Sequence, residues 1–172
     1  GIAFYYCEDL EFVDNRIDLR YNTFKTAYGY DTLYAVSVKS DEYSFGEIQS
    51  KDITIADNTI NLDGHAYAYA ISVCADNLNI TGNNITVTLG HGIDINGPSA
   101  LGVVSKNNIT VESPLASYGI YSYQYMGAIE NIVYKDNTVN VTGYSSAGME
   151  IVECNPEITG NVIVANGNYT YG

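Results

Sequence analysis

The side chains best suited to acid–base chemistry are the carboxylates of Asp94 and Glu150. Each lies in a short alternating segment, Gly92-Ile93-Asp94-Ile95 and Gly148-Met149-Glu150-Ile151. If both segments are strands of a coiled chain, the carboxylates fall in one outward column, two coils and about 10 Å apart. This is close to the separation that inverting glycosidases use for their acid and base. One interpretation is therefore a carbohydrate-active enzyme, in which Tyr121 between the carboxylates stacks on a sugar ring.

The densest aromatic patch of the chain is formed by Tyr121, Tyr123 and Tyr125, preceded by Tyr118. Tyrosine rings bind sugars by stacking and are frequent in protein interfaces. Strict strand alternation would point some of these rings into the core. The remaining rings are candidates for a glycan- or protein-binding surface.

Short strands must position these residues, because the chain repeats one three-strand unit. In residues 69–87 three alternating pairs, Ile71/Val73, Leu78/Ile80 and Ile85/Val87, are separated by polar turns. Such alternation predicts half-buried strands, and repetition at this length predicts a solenoid. Six copies of the unit are found, and each has Gly or Ala before its first inward residue. The first strands lie at residues 1–4, 35–38, 70–73, 92–95, 119–122 and 148–151.

One asparagine recurs between the second and third strands of every copy. Asparagine tolerates the left-handed backbone conformation, and its amide can bond to the copies above and below. The predicted structural ladder is Asn15, Asn58, Asn83, Asn107, Asn137 and Asn161. The spacing between successive members varies, which predicts inserted loops near residues 20–33, 39–50, 112–118 and 121–131.

These features predict an all-β, single-domain right-handed parallel β-helix over residues 1–172, with about six coils of three short strands. The pattern resembles that of pectate lyases and polygalacturonases. Its Asn-Asn-Ile-Thr-Val repeats (residues 83–87) most resemble the adhesin-like surface proteins of methanogenic archaea. The second resemblance implies a non-catalytic extracellular module that serves as a stalk, a binding surface, or both. The first implies a polysaccharide hydrolase or lyase, and a purely structural spacer is a further alternative.

The segment Gly90-His91-Gly92 resembles a catalytic motif of polygalacturonases. That resemblance would make His91 catalytic, with paired aspartates in a preceding coil and an Arg-x-Lys in a later one. The preceding first strand, residues 68–73, has no carboxylate, and residues 119–123 have neither Arg nor Lys. His91 also occupies the position of a tyrosine in three other coils: Tyr34, Tyr69 and Tyr118. The alternative is therefore a ring in a stacked aromatic column.

Charge and composition argue against some classes of binding partner. Seven basic against twenty acidic residues give a net charge of −13, which argues against nucleic acid and anionic membranes. No apolar run is long enough for membrane insertion. Cys7, Cys74 and Cys154 lie in non-neighbouring repeats, which predicts free thiols. No metal-ligand spacing is present, so neither a metal nor a cofactor is expected.

The context expected for such a chain is extracellular or at the cell surface. The repeat pattern starts and stops within a coil, so we expect a piece of a longer protein with flanking coils of the same chain. Expected partners are glycans, or surface proteins of a host or partner cell. Possible N-glycosylation sequons begin at Asn79, Asn84, Asn108, Asn140 and Asn168.

Overall fold

The fold is an all-β parallel β-helix. The computed structural model describes residues 1–20, 32–40, 50–65, 67–96, 101–123, 131–152 and 155–171. Regular structure in these ranges consists of strands alone, and they contain no helix long and apolar enough to cross a membrane. The strands are β1 (Ile2–Tyr5), β2 (Glu8–Val13), β3 (Arg16–Arg20), β4 (Leu33–Lys39), β5 (Ser50–Ala56), β6 (Thr59–Asp63), β7 (Ala68–Val73), β8 (Ala75–Thr81), β9 (Asn84–Thr88), β10 (His91–Asn96), β11 (Leu101–Ser105), β12 (Asn108–Ser113), β13 (Ser117–Tyr123), β14 (Asn131–Lys135), β15 (Thr138–Gly143), β16 (Ser145–Val152), β17 (Glu157–Thr159), β18 (Val162–Asn166) and β19 (Tyr169–Tyr171).

Every third strand joins the same sheet, so three parallel sheets enclose one core. The first sheet has the order β1-β4-β7-β10-β13-β16-β19, the second runs from β2 to β17 and the third from β3 to β18. All six predicted copies of the unit supply one strand to each sheet, which confirms the predicted fold. β19 adds a seventh strand to the first sheet that the repeat pattern did not predict.

The core consists of the inward residues of the alternating pairs. Ile53 pairs with Leu78 across the second sheet, and Ile60 pairs with Ile85 across the third. All four side chains are buried, so each inward column places one aliphatic residue on the next. Burial of these columns is the main stabilising contribution, because a single coil cannot cover its own apolar face.

The small residue at the start of each first strand marks a bend. The pairing of β10 with β7 joins His91 to Tyr69 and Ile93 to Ile71, but it skips Gly92. A Cβ added at Gly92 would meet Ile109 Cγ2 at 2.9 Å, inside the core. Gly92 therefore faces inward next to an inward Ile93, and the residue before the glycine turns to the outer face.

The predicted asparagines form a ladder of side-chain hydrogen bonds. The backbone N–H and the Nδ2 of each asparagine donate to the Oδ1 of the next, at 2.8–3.1 Å. From the second member onward, each Nδ2 also donates to a carbonyl of the preceding coil, as Asn107 does to Ile80 O at 2.9 Å. The ladder therefore satisfies polar groups inside the rod, where Asn58, Asn83, Asn107 and Asn137 are buried.

The left-handed backbone at this corner belongs to the residue before each asparagine. The expectation that the asparagine itself adopts this conformation is wrong. Aspartate or glycine fills most of these positions, because both tolerate positive φ. The six residues, with φ between 54° and 67°, are Asp14, Asp57, Gly82, Lys106, Asp136 and Gly160.

The connections between strands differ in part from the predicted loops. Residues 112–118 were expected to form a loop, but β12 continues to Ser113 and β13 begins at Ser117, leaving only residues 114–116 between them. Most of the predicted loops near 20–33, 39–50 and 121–131 lie outside the described residues; their outer ends belong to β3, β4, β5, β13 and β14. Among the described residues Cys7 and Cys74 form no disulfide with each other, and Cys154 lies outside the described ranges.

Candidate functional site

A continuous line of aromatic rings lies on the outer face of the first sheet. The ring centroids are 5.8 Å apart for Tyr34–Tyr69, 4.8 Å for Tyr69–His91 and 5.3 Å for His91–Tyr118, and each pair is stacked. The line continues to Tyr121 at 4.9 Å and then to Tyr123 at 6.4 Å. We call this set the aromatic strip; its members are Tyr34, Tyr69, His91, Tyr118, Tyr121 and Tyr123.

The bend in each first strand places both parts of the strip on one face. A Cβ at Gly119 would meet Val141 Cγ2 at 3.1 Å, so Gly119 faces the core and Tyr118 faces outward. Beyond the bend Ile120 and Ser122 are buried, whereas Tyr121 and Tyr123 are half-buried and stack with nearly parallel rings. The expectation that alternation turns some of these tyrosines into the core is therefore wrong for the described ones. Tyr125 lies outside the described residues.

His91 is a member of the stack. Its Nδ1 accepts the backbone N–H of Tyr118 at 3.2 Å, so this nitrogen carries no proton and the neutral ring has its proton on Nε2. The imidazole is buried between the rings of Tyr69 and Tyr118. This geometry matches the alternative of a stacked aromatic column and gives no support to a catalytic base at His91.

Asp94 and Glu150 occupy one outward column, as predicted. Asp94 pairs with Tyr121, and Tyr121 pairs with Glu150, which sets the two backbones about 10 Å apart. Asp94 is only 6% exposed, and its Oδ2 accepts hydrogen bonds from Ser72 Oγ at 3.0 Å and from Asn96 Nδ2 at 2.6 Å. Asp94 is thus a hydrogen-bonded carboxylate at the edge of the strip, whereas Glu150 is half-buried.

Burial and the two carboxylates raise the pKa values of the neighbouring phenols. Burial, followed by the charge of Asp94, raises the pKa of Tyr69 to about 12. Burial and then Glu150 raise the pKa of Tyr121 and of Tyr118. Tyr69, Tyr118 and Tyr121 therefore keep their protons in neutral solution, so their hydroxyl groups can donate hydrogen bonds.

The raised pKa of Tyr69 predicts a loss of stability at alkaline pH. The ordinary phenol pKa is 10.0 and the folded value is about 12. Between these values the folded chain holds the proton and the unfolded chain releases it, so the free energy of unfolding falls as the pH rises. Urea unfolding across this pH range should show a shallower fall for Tyr69→Phe than for the unchanged chain. An unchanged slope in Tyr69→Phe would contradict this explanation.

Two features of the outer surface were not anticipated from the sequence. Lys39 Nζ lies 4.3 Å from the ring centroid of Tyr34, so a cation already contacts one end of the strip. A second left-handed column crosses the second sheet at Asp9, Asp52 and Asn77, whose φ values are 52–55°. Its signal was present in the sequence, since each of these residues directly precedes the first inward residue of a second strand.

The sequon asparagines all lie on the surface. Those of the third sheet stand on its outer face, where Asn108 Nδ2 donates to Asn84 Oδ1 at 3.1 Å across adjacent strands. Glycosylation at these positions stays a prediction. The exposed sequon asparagines are Asn79, Asn84, Asn108, Asn140 and Asn168.

Comparison of the chain with models of protein families, with curated proteins and with solved structures gave no match. The likeness to methanogen adhesin-like proteins and to pectate lyases therefore stays a prediction from the repeat motifs. Within the ranges that the structure describes, no three His, Cys, Asp or Glu side chains come together in a possible metal site. The aromatic strip is thus the candidate site that the fold assembles most completely.

Proposed function

We propose that this chain is a non-catalytic β-helix module of a cell-surface adhesin-like protein that binds glycan along the aromatic strip. The observation that supports the proposal is the continuous line of ring contacts from Tyr34 to Tyr123 on the outer face of the first sheet. The exposed parts of tyrosine rings pack on the apolar faces of sugars, and their hydroxyl groups bond to sugar hydroxyls. In this proposal the β-helix is the stalk and the aromatic strip is its binding surface.

The net charge of −13 favours a neutral or cationic glycan over an acidic one. Glu150 and the buried Asp94 place negative charge beside the strip, and like charges would repel a uronic-acid polymer. The contact between Lys39 and Tyr34 also favours a cationic ligand, because it places a cation against one of these rings.

Removal of one ring tests the proposal. We expect Tyr121→Ala to weaken binding to an immobilised glycan panel by about tenfold or more, the effect of removing a central aromatic anchor. Tyr121→Phe keeps the aromatic ring and should bind within a few-fold of the unchanged chain. The matched control is Tyr144→Ala, which removes an exposed tyrosine that packs on Tyr169 away from the strip.

The outcomes separate the alternative functions. A structural spacer predicts no glycan binding by any variant. A carbohydrate-active enzyme predicts turnover on a polysaccharide panel that is lost in Glu150→Gln. Binding that is equal in Tyr121→Ala and Tyr144→Ala would place the ligand elsewhere and contradict the assignment to the strip.

A further inference from the structure

Tyr121 lies between two carboxylates in the outward column of the first sheet. It pairs with Asp94 on one side and with Glu150 on the other, so each of these backbone positions is about 5 Å from that of Tyr121. After burial, the charges of Glu150 and Asp94 are among the causes that raise the pKa of the Tyr121 phenol. Burial and then Glu150 also raise the pKa of Tyr118. Negative potential from these carboxylates therefore reaches this part of the aromatic strip.

The rings of Tyr118 and Tyr121 present part of their surface to solvent beside these charges. Both side chains are half-buried, their ring centroids are 4.9 Å apart and their planes are tilted by 35°. The stacked pairs of the strip nearer Tyr34 are closer to parallel, at 23–24°. The electron-rich faces of tyrosine rings attract cations within about 6 Å of the ring centroid. A cation beside Tyr121 would therefore contact an aromatic ring and also lie near a carboxylate.

The described part of the chain brings no cation of its own to this position. Of the Lys and Arg side chains in the described ranges, only that of Lys39 belongs to the first sheet. Its Nζ lies over the ring of Tyr34, and Tyr121 is three strands away in that sheet. The ion pairs in the same ranges both lie in the first two coils. Glu150 thus has no cationic partner among the described residues, although a half-buried carboxylate is stabilised by one.

We propose that Tyr118, Tyr121 and Glu150 bind an ammonium group of the ligand, so that the strip selects a glycan that contains protonated amino sugars. This inference rests on the proposed function of glycan binding by the strip. The rings bind the ammonium group by cation–π attraction, and Glu150 pairs with it directly. A glycan is favoured over an extended cationic peptide, because β13 is paired on both sides, with β10 and β16, and leaves no edge to which a peptide strand could add.

Asp94 supplies negative charge to this site without direct contact. Its side chain is 6% exposed, and its Oδ2 accepts hydrogen bonds from Ser72 Oγ and Asn96 Nδ2. These bonds hold the carboxylate in place, and salt screens a buried charge less than an exposed one. The field of Asp94 is therefore already directed at Tyr121 before the ligand binds.

Isothermal titration calorimetry with two matched oligosaccharides tests the site. The probes are an oligomer of glucosamine and the same oligomer in N-acetylated form, measured at mildly acidic pH, where the free amine is protonated. We expect the glucosamine oligomer to bind about tenfold more tightly. Its affinity should fall as the salt concentration rises, because salt screens the attraction to the half-buried Glu150, whereas the affinity of the neutral oligomer should change little.

A pair of variants assigns the preference to one carboxylate. Glu150→Gln keeps the shape of the side chain and removes its charge, so the ratio of the two affinities should fall several-fold and the salt dependence should weaken. Glu112→Gln makes the same change on the third sheet and should leave both the ratio and the salt dependence of the unchanged chain.

The outcomes separate this inference from the proposed function. Equal affinity for the two oligomers, or an equal ratio in Glu150→Gln and the unchanged chain, would overturn the ammonium site but leave glycan binding by the strip. An oligolysine peptide that binds more tightly than the glucosamine oligomer, and that loses affinity in Glu150→Gln, would overturn the assignment to a glycan. No binding of either oligomer or of any member of the glycan panel would contradict the proposed function and this inference together.

Discussion

Replacing Asn107 by alanine is expected to lower the free energy of unfolding by about 2–4 kcal/mol. Asn107 is 1% exposed and lies at the middle of the ladder. Its Oδ1 accepts the backbone N–H of Asn83 at 3.0 Å and Asn83 Nδ2 at 2.9 Å, while its Nδ2 donates to Ile80 O and to Asn137 Oδ1. Alanine removes all four bonds and leaves a buried N–H without its acceptor, which is more costly than the loss of an exposed bond.

The neighbouring residue supplies the matched control for this prediction. Asn108 is exposed and makes a side-chain bond to Asn84, so Asn108→Ala should cost less than about 1 kcal/mol. Equilibrium unfolding in urea measures both variants under one condition. Equal midpoints for Asn107→Ala and Asn108→Ala would show that the ladder contributes little to stability.

Replacing Gly119 by alanine should destabilise the fold by about 2–3 kcal/mol through overpacking. A Cβ there would collide with Val139 Cγ1 and would lie 2.6 Å from the carbonyl oxygen of Gly148 in the next strand. The carbonyl can move away only if β13 separates from β16, and Val139 is fixed by the core. The same change would shift the bend that turns Tyr118 and Tyr121 to one face, so we also expect weaker glycan binding.

The reciprocal substitution separates overpacking from backbone flexibility. Ala70 occupies the same column as Gly119 and is fully buried with its Cβ accommodated. Ala70→Gly should cost only about 1 kcal/mol, the usual penalty for glycine in a strand. Urea unfolding measures the loss of free energy of unfolding for both variants. If the loss for Gly119→Ala is no larger than that for Ala70→Gly, glycine is not required at position 119 for steric reasons.

The second and third sheets were predictable because most of their strands alternate buried and more exposed residues. Alternating pairs such as Ile53/Ile55 and Leu78/Ile80 show the inward face directly, and their repetition sets the order of the sheets. The seventh strand, β19, was not predicted, because its sequence Tyr-Thr-Tyr pairs only with the first half of β16 and lacks an aliphatic inward pair. The local sequence pattern was therefore sufficient to predict strands in which buried and exposed residues alternate.

The aromatic strip was only partly predictable, because a bend breaks that period. Alternation assigned Tyr118 and Tyr121 to opposite faces, yet the inward Gly119 places both outside. The recurrence of an aromatic residue at the position of His91 did predict the stack. The burial of Asp94 was not predictable, because burial of an outer-face residue depends on groups distant in sequence rather than on its own strand.

The uneven spacing of the ladder asparagines gives the rod a characteristic response to mechanical force. Successive members are 43, 25, 24, 30 and 24 residues apart, although each coil adds the same height of about 4.8 Å. Tension between the two ends of the rod acts on the contacts between neighbouring coils. When one coil detaches, all of its residues can extend at once. The coil between Asn15 and Asn58 has the most residues, so its detachment would lengthen the chain the most. We therefore expect a rod built this way to lengthen in unequal steps under tension.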